Sequence, residues 1–223
     1  MPTAIITGAN RGLGHALAEA FVGAGWRVHA CARHPERCDR LKSMGVDMHR
    51  LDVTDALQVA SLSRSLAGEP VDLLLNNAGT GQPWTGLEDE ALDDWQKVFA
   101  VNVVAPLRLA RQFVGHLERS ERKLVVNISS RMGSIAGTSG GGYLYRASKA
   151  ALNMVSRTLA EDLKPSGITV VAVHPGWVKT EIGGPDAPTA PAEAAGHLLS
   201  LIQRLNRDQN GRFLNYDGQE IPW

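Results

Sequence analysis

The sequence predicts an α/β fold: a single doubly wound Rossmann domain over residues 1–223, with a seven-stranded parallel sheet covered by helices on both faces. Short apolar, β-branched runs recur along the chain, longer segments of helical periodicity separate most of them, and a glycine-rich turn directly follows the first run. Strands buried on both faces read as continuous apolar runs, and their alternation with helices implies right-handed crossovers. A chain of 223 residues can bury one large core without needing a second domain.

The first run, TAIIT (3–7), reads as a strand, and TGANRGLG (Thr7 to Gly14) turns from it into a helix over about 12–24. Gly8, Gly12 and Gly14 let backbone approach a pyrophosphate, whose charge the helix N-terminus meets. The plain alternative is a tight strand-to-helix connection; the position after the first strand favours a nucleotide. The second strand is RVHACA (27–32). In an NAD site its end carries an acid for the ribose hydroxyl, but here Ala32 and Arg33 stand. Arg33 suits a 2′-phosphate, and Arg11 inside the glycine turn is a second candidate cation, so NADP(H) is favoured over NAD(H).

A short helical piece follows Pro35, then a third strand at VDMHRL (46–51). In LDVTD (51–55) Asp52 is placed to meet an adenine amino group, or an Asp or Thr caps the next helix, at about 55–67. VDLLL (71–75) is the fourth strand, and LNNAG ends it with the Asn76 and Asn77 amides and a glycine. A helix over 88–118 carries Asn102, and Pro106 four residues on has no N–H to bond the Asn102 carbonyl. That carbonyl is left free to hold a water, or the proline simply kinks the helix. KLVVNI (123–128) puts Ser129 and Ser130 at the ligand-binding edge of the sheet, although either serine alone reads as a turn former. After a helix at 143–164 come a sixth strand, ITVVAV (168–173), a surface loop GGPDAPTAP (183–191), a helix at 190–206 and a seventh strand near RFLNY (212–216).

Within YLYRASKAA (Tyr143 to Ala151), Tyr145 and Lys149 are four apart and share a helical face; Tyr143 points elsewhere. An ammonium beside a phenol lowers its pKa from near 10 by about 1 to 3, which suits an acid that gives a proton to a nascent alkoxide. Alone, such a pair is ordinary helix-surface packing. Here it accompanies the glycine turn, the asparagines and the serines.

Lys+Arg and Asp+Glu number 23 each, so no long-range field points to nucleic acid or an anionic membrane. The N-terminus lacks a basic, apolar leader, and no continuous apolar run approaches the ~18 residues of a span, so a cytoplasmic protein is expected. Cys31 and Cys38 lack metal-ligand or CxxC spacing; they read as structural, and no metal is expected.

With Thr7 to Gly14, NNAG, Asn102, NISS, Tyr145 and Lys149 in order, the chain resembles the short-chain dehydrogenase/reductase family along nearly its whole length. NISSRMGSIAG (127–137), YRASKAALNM (145–154), HPGWVKTEIGG (174–184) and DGQEIPW (217–223) resemble its branch of C-factor-like and sniffer-type carbonyl reductases. The resemblance implies hydride transfer between NAD(P)(H) and a small-molecule carbonyl or alcohol. It assigns Ser130 to polarise the carbonyl, Tyr145 as acid or base, Lys149 to bind the nicotinamide ribose and lower the tyrosine pKa, and Asn102 to hold a relay water. Asn10, Leu13, Val53, Asn77, Ala78, Gly79, Pro175, Gly176, Val178 and Thr180 join the glycines, Arg11, Arg33 and Asp52 as cofactor-binding positions. A homo-oligomer, dimer or tetramer, is implied through the helices carrying Asn102 and Tyr145. Ser130 and Tyr145 stand fifteen positions apart, longer than the common family spacing, which a bulged RMGSIAGTSGGG loop explains; Ser129 and Ser134 remain reserve candidates. Two other readings stand beside carbonyl reduction: a C-factor-like signalling or nucleotide-sensing protein with little turnover, and an NAD-dependent alcohol dehydrogenase.

Overall fold

The computed structural model describes residues 1–81, 86–88 and 92–223. Its strands are β1 (Thr3–Thr7), β2 (Arg27–Ala32), β3 (Asp47–Arg50), β4 (Leu73–Asn76), β5 (Leu124–Ile128), β6 (Thr169–His174) and β7 (Phe213–Asn215). All pair in parallel, in the order β3-β2-β1-β4-β5-β6-β7. The order reverses between β1 and β4, so the connections leaving those two strands part and open a crevice at their carboxyl ends.

The helices are α1 (Gly12–Gly23), α2 (Asp39–Ser43), α3 (Ala56–Ser65), α4 (Trp95–Phe99), α5 (Ala105–Glu118), α6 (Tyr143–Asp162) and α7 (Pro191–Arg204). Successive strand residues point to opposite faces, so adjacent residues feed different cores. Ile6, Leu73, Leu75 and Val126 pack with Leu17 and Phe21 of α1 and Leu198 and Ile202 of α7. Ile5, Leu74 and Val125 pack with Val59 of α3, Leu109 and Phe113 of α5 and Leu159 of α6. Cys31 and Cys38 are buried free thiols, and burial pushes Cys31 up to about 12, consistent with a structural role.

The helix expected over 88–118 is broken. Residues 89–91 lie outside the described residues, and Ala100–Val104 forms a π-helical turn between α4 and α5. The Ala105 N–H reaches back to the Ala100 carbonyl, and Pro106 cannot close an ordinary turn onto Asn102. The widened turn places Asn102, 1% exposed, inside the fold. The stretch Leu92–Glu118 also has the length and a mean hydropathy of 1.2 that suffice for a membrane span, which its interrupted apolar runs did not suggest. Its buried side chains, Leu109, Ala110, Phe113 and Leu117, belong to the core, which accounts for the composition.

Candidate active site

The glycine turn is held from across the switch point. The Thr7 hydroxyl accepts from the Asn77 and Ala78 N–H groups, both at 3.0 Å, and Asn77 Nδ2 donates to the Thr7 carbonyl at 2.8 Å. Gly8 and Gly12 take φ of +70° and +55°, which side chains rarely adopt. A Cβ on Gly14 would lie 2.3 Å from the Gly8 carbonyl oxygen and 2.4 Å from Asn77 Nδ2. The close approach of turn, helix and β4 therefore requires glycine there. Arg11, the N-cap residue of α1, makes no side-chain cap, which leaves the first-turn N–H groups available to an anion. Leu13 beneath the turn is buried and Asn10 exposed. These residues fit a dinucleotide pyrophosphate.

The two candidate cations have different surroundings. Arg11 pairs with Glu181, whereas Arg33, exposed just past β2, has no ion pair among the described residues. The Arg33 carbonyl accepts from Arg50 Nη1 at 3.1 Å. Asp52 closes a local turn, accepting from the Thr54 N–H and hydroxyl at 2.9 and 2.6 Å, while Asp55 caps α3. Val53 is buried in the core.

At the other end of the crevice, α6 carries Tyr145 and Lys149 on one face, with the Lys149 Nζ 5.6 Å from the Tyr145 ring centroid. The Lys149 ammonium donates to the Ile128 carbonyl at 2.9 Å. Tyr143 opens the helix and is 42% exposed. The three serines separate by partner. The Ser130 hydroxyl bonds the Tyr145 hydroxyl and accepts from the Met132 N–H at 3.2 Å. Ser129 donates to Asn153 Oδ1, and Ser134 to the Pro222 carbonyl, both at 2.6 Å.

Electrostatics differ from the sequence expectation. Burial pushes the Tyr145 phenol up to about 12, opposed by its hydrogen bond to Ser130, so the hydroxyl stays protonated across the neutral range. The expected downward shift of that phenol is not present. Burial also lowers Lys149 to about 8.

The Asn102 side-chain amide is paired inside the fold. Its Oδ1 accepts from the Thr80 N–H at 2.9 Å, and its Nδ2 donates to the Thr80 carbonyl at 2.8 Å and to the Ser148 hydroxyl at 3.0 Å. The amide thereby ties the segment after β4 to α6. Thr80 and Ser148 escaped the sequence reading because their pairing is visible only after folding. A Cβ on Gly79 would come within 3.6 Å of Asn102 Oδ1 and 3.8 Å of Lys149 Nζ, so these three converge. Beyond β6, Pro175 and Gly176 turn the chain, with Gly176 at φ +90° against the Tyr216 ring. Val178 is buried, and Thr180 packs over Gly12: a Cβ there would lie 3.3 Å from Thr180 Cγ2. The segment thus reaches from the end of β6 back to the glycine turn.

The family model described as short chain dehydrogenase matches residues 2–190. C-signal of Myxococcus xanthus is 43% identical over 155 residues, which cover 69% of this chain and 93% of that protein. Carbonyl reductase Sniffer of D. melanogaster superposes with a TM-score of 0.94 at 31% identity, covering 100% of both chains. The NADPH-bound carbonyl reductase from chicken fatty liver gives 0.91 at 30% identity, covering 100% of this chain and 99% of that one. Matched by that model over most of its length, and similar to reductases that share its whole fold, the chain belongs to the short-chain dehydrogenase/reductase family.

Proposed function

We propose that this protein is an NADPH-dependent reductase of aldehyde, ketone or quinone carbonyls. The observation that carries the reading is the Ser130–Tyr145 hydroxyl pair beside a buried Lys149, at the end of the crevice opposite the glycine turn. The C-terminal edge of a doubly wound sheet is where such folds bind ligand. When bound, the nicotinamide supplies hydride; the chain's own residues bind, orient and protonate. Gly8, Gly12, Gly14 and the start of α1 would hold the pyrophosphate. Asn77, Ala78 and Gly79, with Pro175, Gly176, Val178 and Thr180, would line the nicotinamide half, and Asp52 and Val53 the adenine half. Ser130 donates to the substrate carbonyl oxygen, Tyr145 delivers the proton as that oxygen becomes an alkoxide, and Lys149 holds the ribose. Asn102 keeps the Thr80 segment against α6 and thereby keeps Lys149 beside Gly79.

Arg33 stands where an NAD site carries a carboxylate and has no ion pair among the described residues, so it is the principal partner for a 2′-phosphate, with Arg11, paired to Glu181, the second. Charge-assisted hydrogen bonds are worth roughly 1.5–3 kcal/mol, or about 10- to 100-fold in affinity. The test screens small aldehydes, ketones and quinones with NADPH and NADH, using wild type and Arg33→Ala. Turnover with NADPH is expected, with the preference over NADH reduced at least tenfold by Arg33→Ala. Absence of turnover with every carbonyl would sink the reading and favour the signalling alternative, which the match to C-signal supports. A preference for NADH would favour the alcohol dehydrogenase.

The family resemblance also supports a dimer or tetramer through the helices carrying Asn102 and Tyr145. Val104, Leu107 and Met154 expose apolar side chains on them. Sedimentation at micromolar concentration is expected to show the assembled species, and monomer alone would remove this part of the reading.

A further inference from the structure

The long Ser130–Tyr145 connection is braced from an unexpected direction. Its first turn, Arg131–Gly133, hangs on Ser130 itself: the Met132 N–H donates to the Ser130 hydroxyl at 3.2 Å and the Gly133 N–H to the Ser130 carbonyl at 2.8 Å. Gly133 presses on α6 so closely that a Cβ would lie 2.7 Å from the Lys149 carbonyl carbon. Asn153 Nδ2 holds the Gly133 carbonyl at 3.2 Å. The far end of the connection has three consecutive glycines, Gly140, Gly141 and Gly142, all at positive φ, a chemistry that turns sharply and resists little.

Between these ends stands Ser134, 2% exposed. Its hydroxyl donates to the Pro222 carbonyl at 2.6 Å and accepts from the Gly137 N–H at 3.1 Å. Ala136 N–H donates to the Trp223 carbonyl oxygen at 3.0 Å. The segment they grip is itself fixed to the sheet. Ile221 N–H donates to the Phe213 carbonyl at 2.8 Å, Ile221 packs with Ala172 and Phe213, and the Trp223 ring stacks on Phe213 with centroids 5.5 Å apart. A continuous path therefore runs from β6 and β7 through residues 221–223 to Ser134, and from Ser134 through one turn to Ser130. The final motif IPW and the extra loop length, which the active-site chemistry leaves unexplained, fit together as the two halves of a clasp.

We propose that Ser134 is a positioning residue: by gripping the Pro222 carbonyl it anchors the 131–137 loop and keeps the Ser130 hydroxyl in register with Tyr145. The proposal rests on the reading of Ser130 and Tyr145 as the groups that face the carbonyl oxygen. A buried hydrogen bond is worth on the order of 1 kcal/mol, about fivefold in rate when it acts through geometry.

The test compares Ser134→Ala, Ser130→Ala, the double variant and Ser134→Thr in single-turnover reduction with NADPH saturating, together with amide hydrogen exchange at Met132 and Gly133. Ser134→Ala is expected to slow reduction about fivefold with the NADPH KM unchanged, and Ser134→Thr to restore most of it. In the Ser130→Ala background the Ser134→Ala effect should fall below about twofold, because residues acting through one another are not additive. Exchange at Met132 and Gly133 should quicken in Ser134→Ala, since both amides donate to Ser130. An undiminished Ser134→Ala effect in the Ser130→Ala background overturns the proposal, and so does unchanged exchange. If wild type reduces no carbonyl, the functional reading fails, and the exchange measurement alone decides the clasp.

Discussion

Tyr145→Phe is expected to slow single-turnover reduction by ~10² to 10⁴, the range for loss of a general acid, while NADPH binding survives. Phenylalanine keeps the ring against Gly81, where a Cβ would lie 3.3 Å from the Tyr145 ring, and removes only the hydroxyl bonded to Ser130. A phenol held up to about 12 is a weak acid in water, yet an alkoxide is more basic still, so the transfer in the direction of reduction runs downhill. The same burial disfavours the phenolate, the form from which an alcohol oxidation would start. Tyr143→Phe is expected to stay near wild type, because that side chain is 42% exposed at the first position of α6. If Tyr143→Phe were the crippled variant and Tyr145→Phe were active, the assignment of the acid would be wrong.

What the sequence disclosed followed the range of the interactions involved. Strand positions rest on local composition, and each apolar run lies within two residues of an observed strand, from TAIIT at β1 to RFLNY around β7. The i, i+4 spacing of Tyr145 and Lys149 is likewise local, and the structure brings the two side chains together. The π turn was half legible: Pro106 marked a missing hydrogen bond, but nothing nearby showed that the Asn102 amide would clip Thr80, 22 residues away. Glu181 lies 170 residues from Arg11, and Pro222 lies 88 from Ser134, so neither pairing has a sequence signature. The direction of the Tyr145 shift was missed for a related reason. A neighbouring ammonium can be counted from spacing, whereas the desolvation that raises the phenol depends on every element packed around it.

Lys149→Met is expected to abolish efficient reduction and, in the cofactor-free protein, to raise stability at neutral pH. Lys149 is 4% exposed, and its pKa is lowered to about 8 by burial, against about 10.4 in an unfolded chain. The sign follows from proton counts. Between these two values the unfolded chain binds more protons at this lysine than the folded protein does, so wild-type stability rises with pH through that window. Below about 8 the folded protein carries the full cost of a buried ammonium, offset only partly by its bond to the Ile128 carbonyl. Methionine fills a similar volume without charge. The wild-type deficit relative to Lys149→Met should therefore be constant below about pH 8 and shrink by on the order of 3 kcal/mol as pH approaches 10.4. Urea unfolding of both proteins at pH 7, 8, 9 and 10 measures that difference, with all other titrating groups cancelling between them. Catalysis should follow the opposite sign: if the ammonium holds the ribose, wild-type kcat/KM for reduction is full below about 8 and falls as pH rises through it. A stability difference independent of pH would show that Lys149 is not held as a costly buried cation. Wild-type reduction unchanged up to pH 10 would remove its charge from the mechanism.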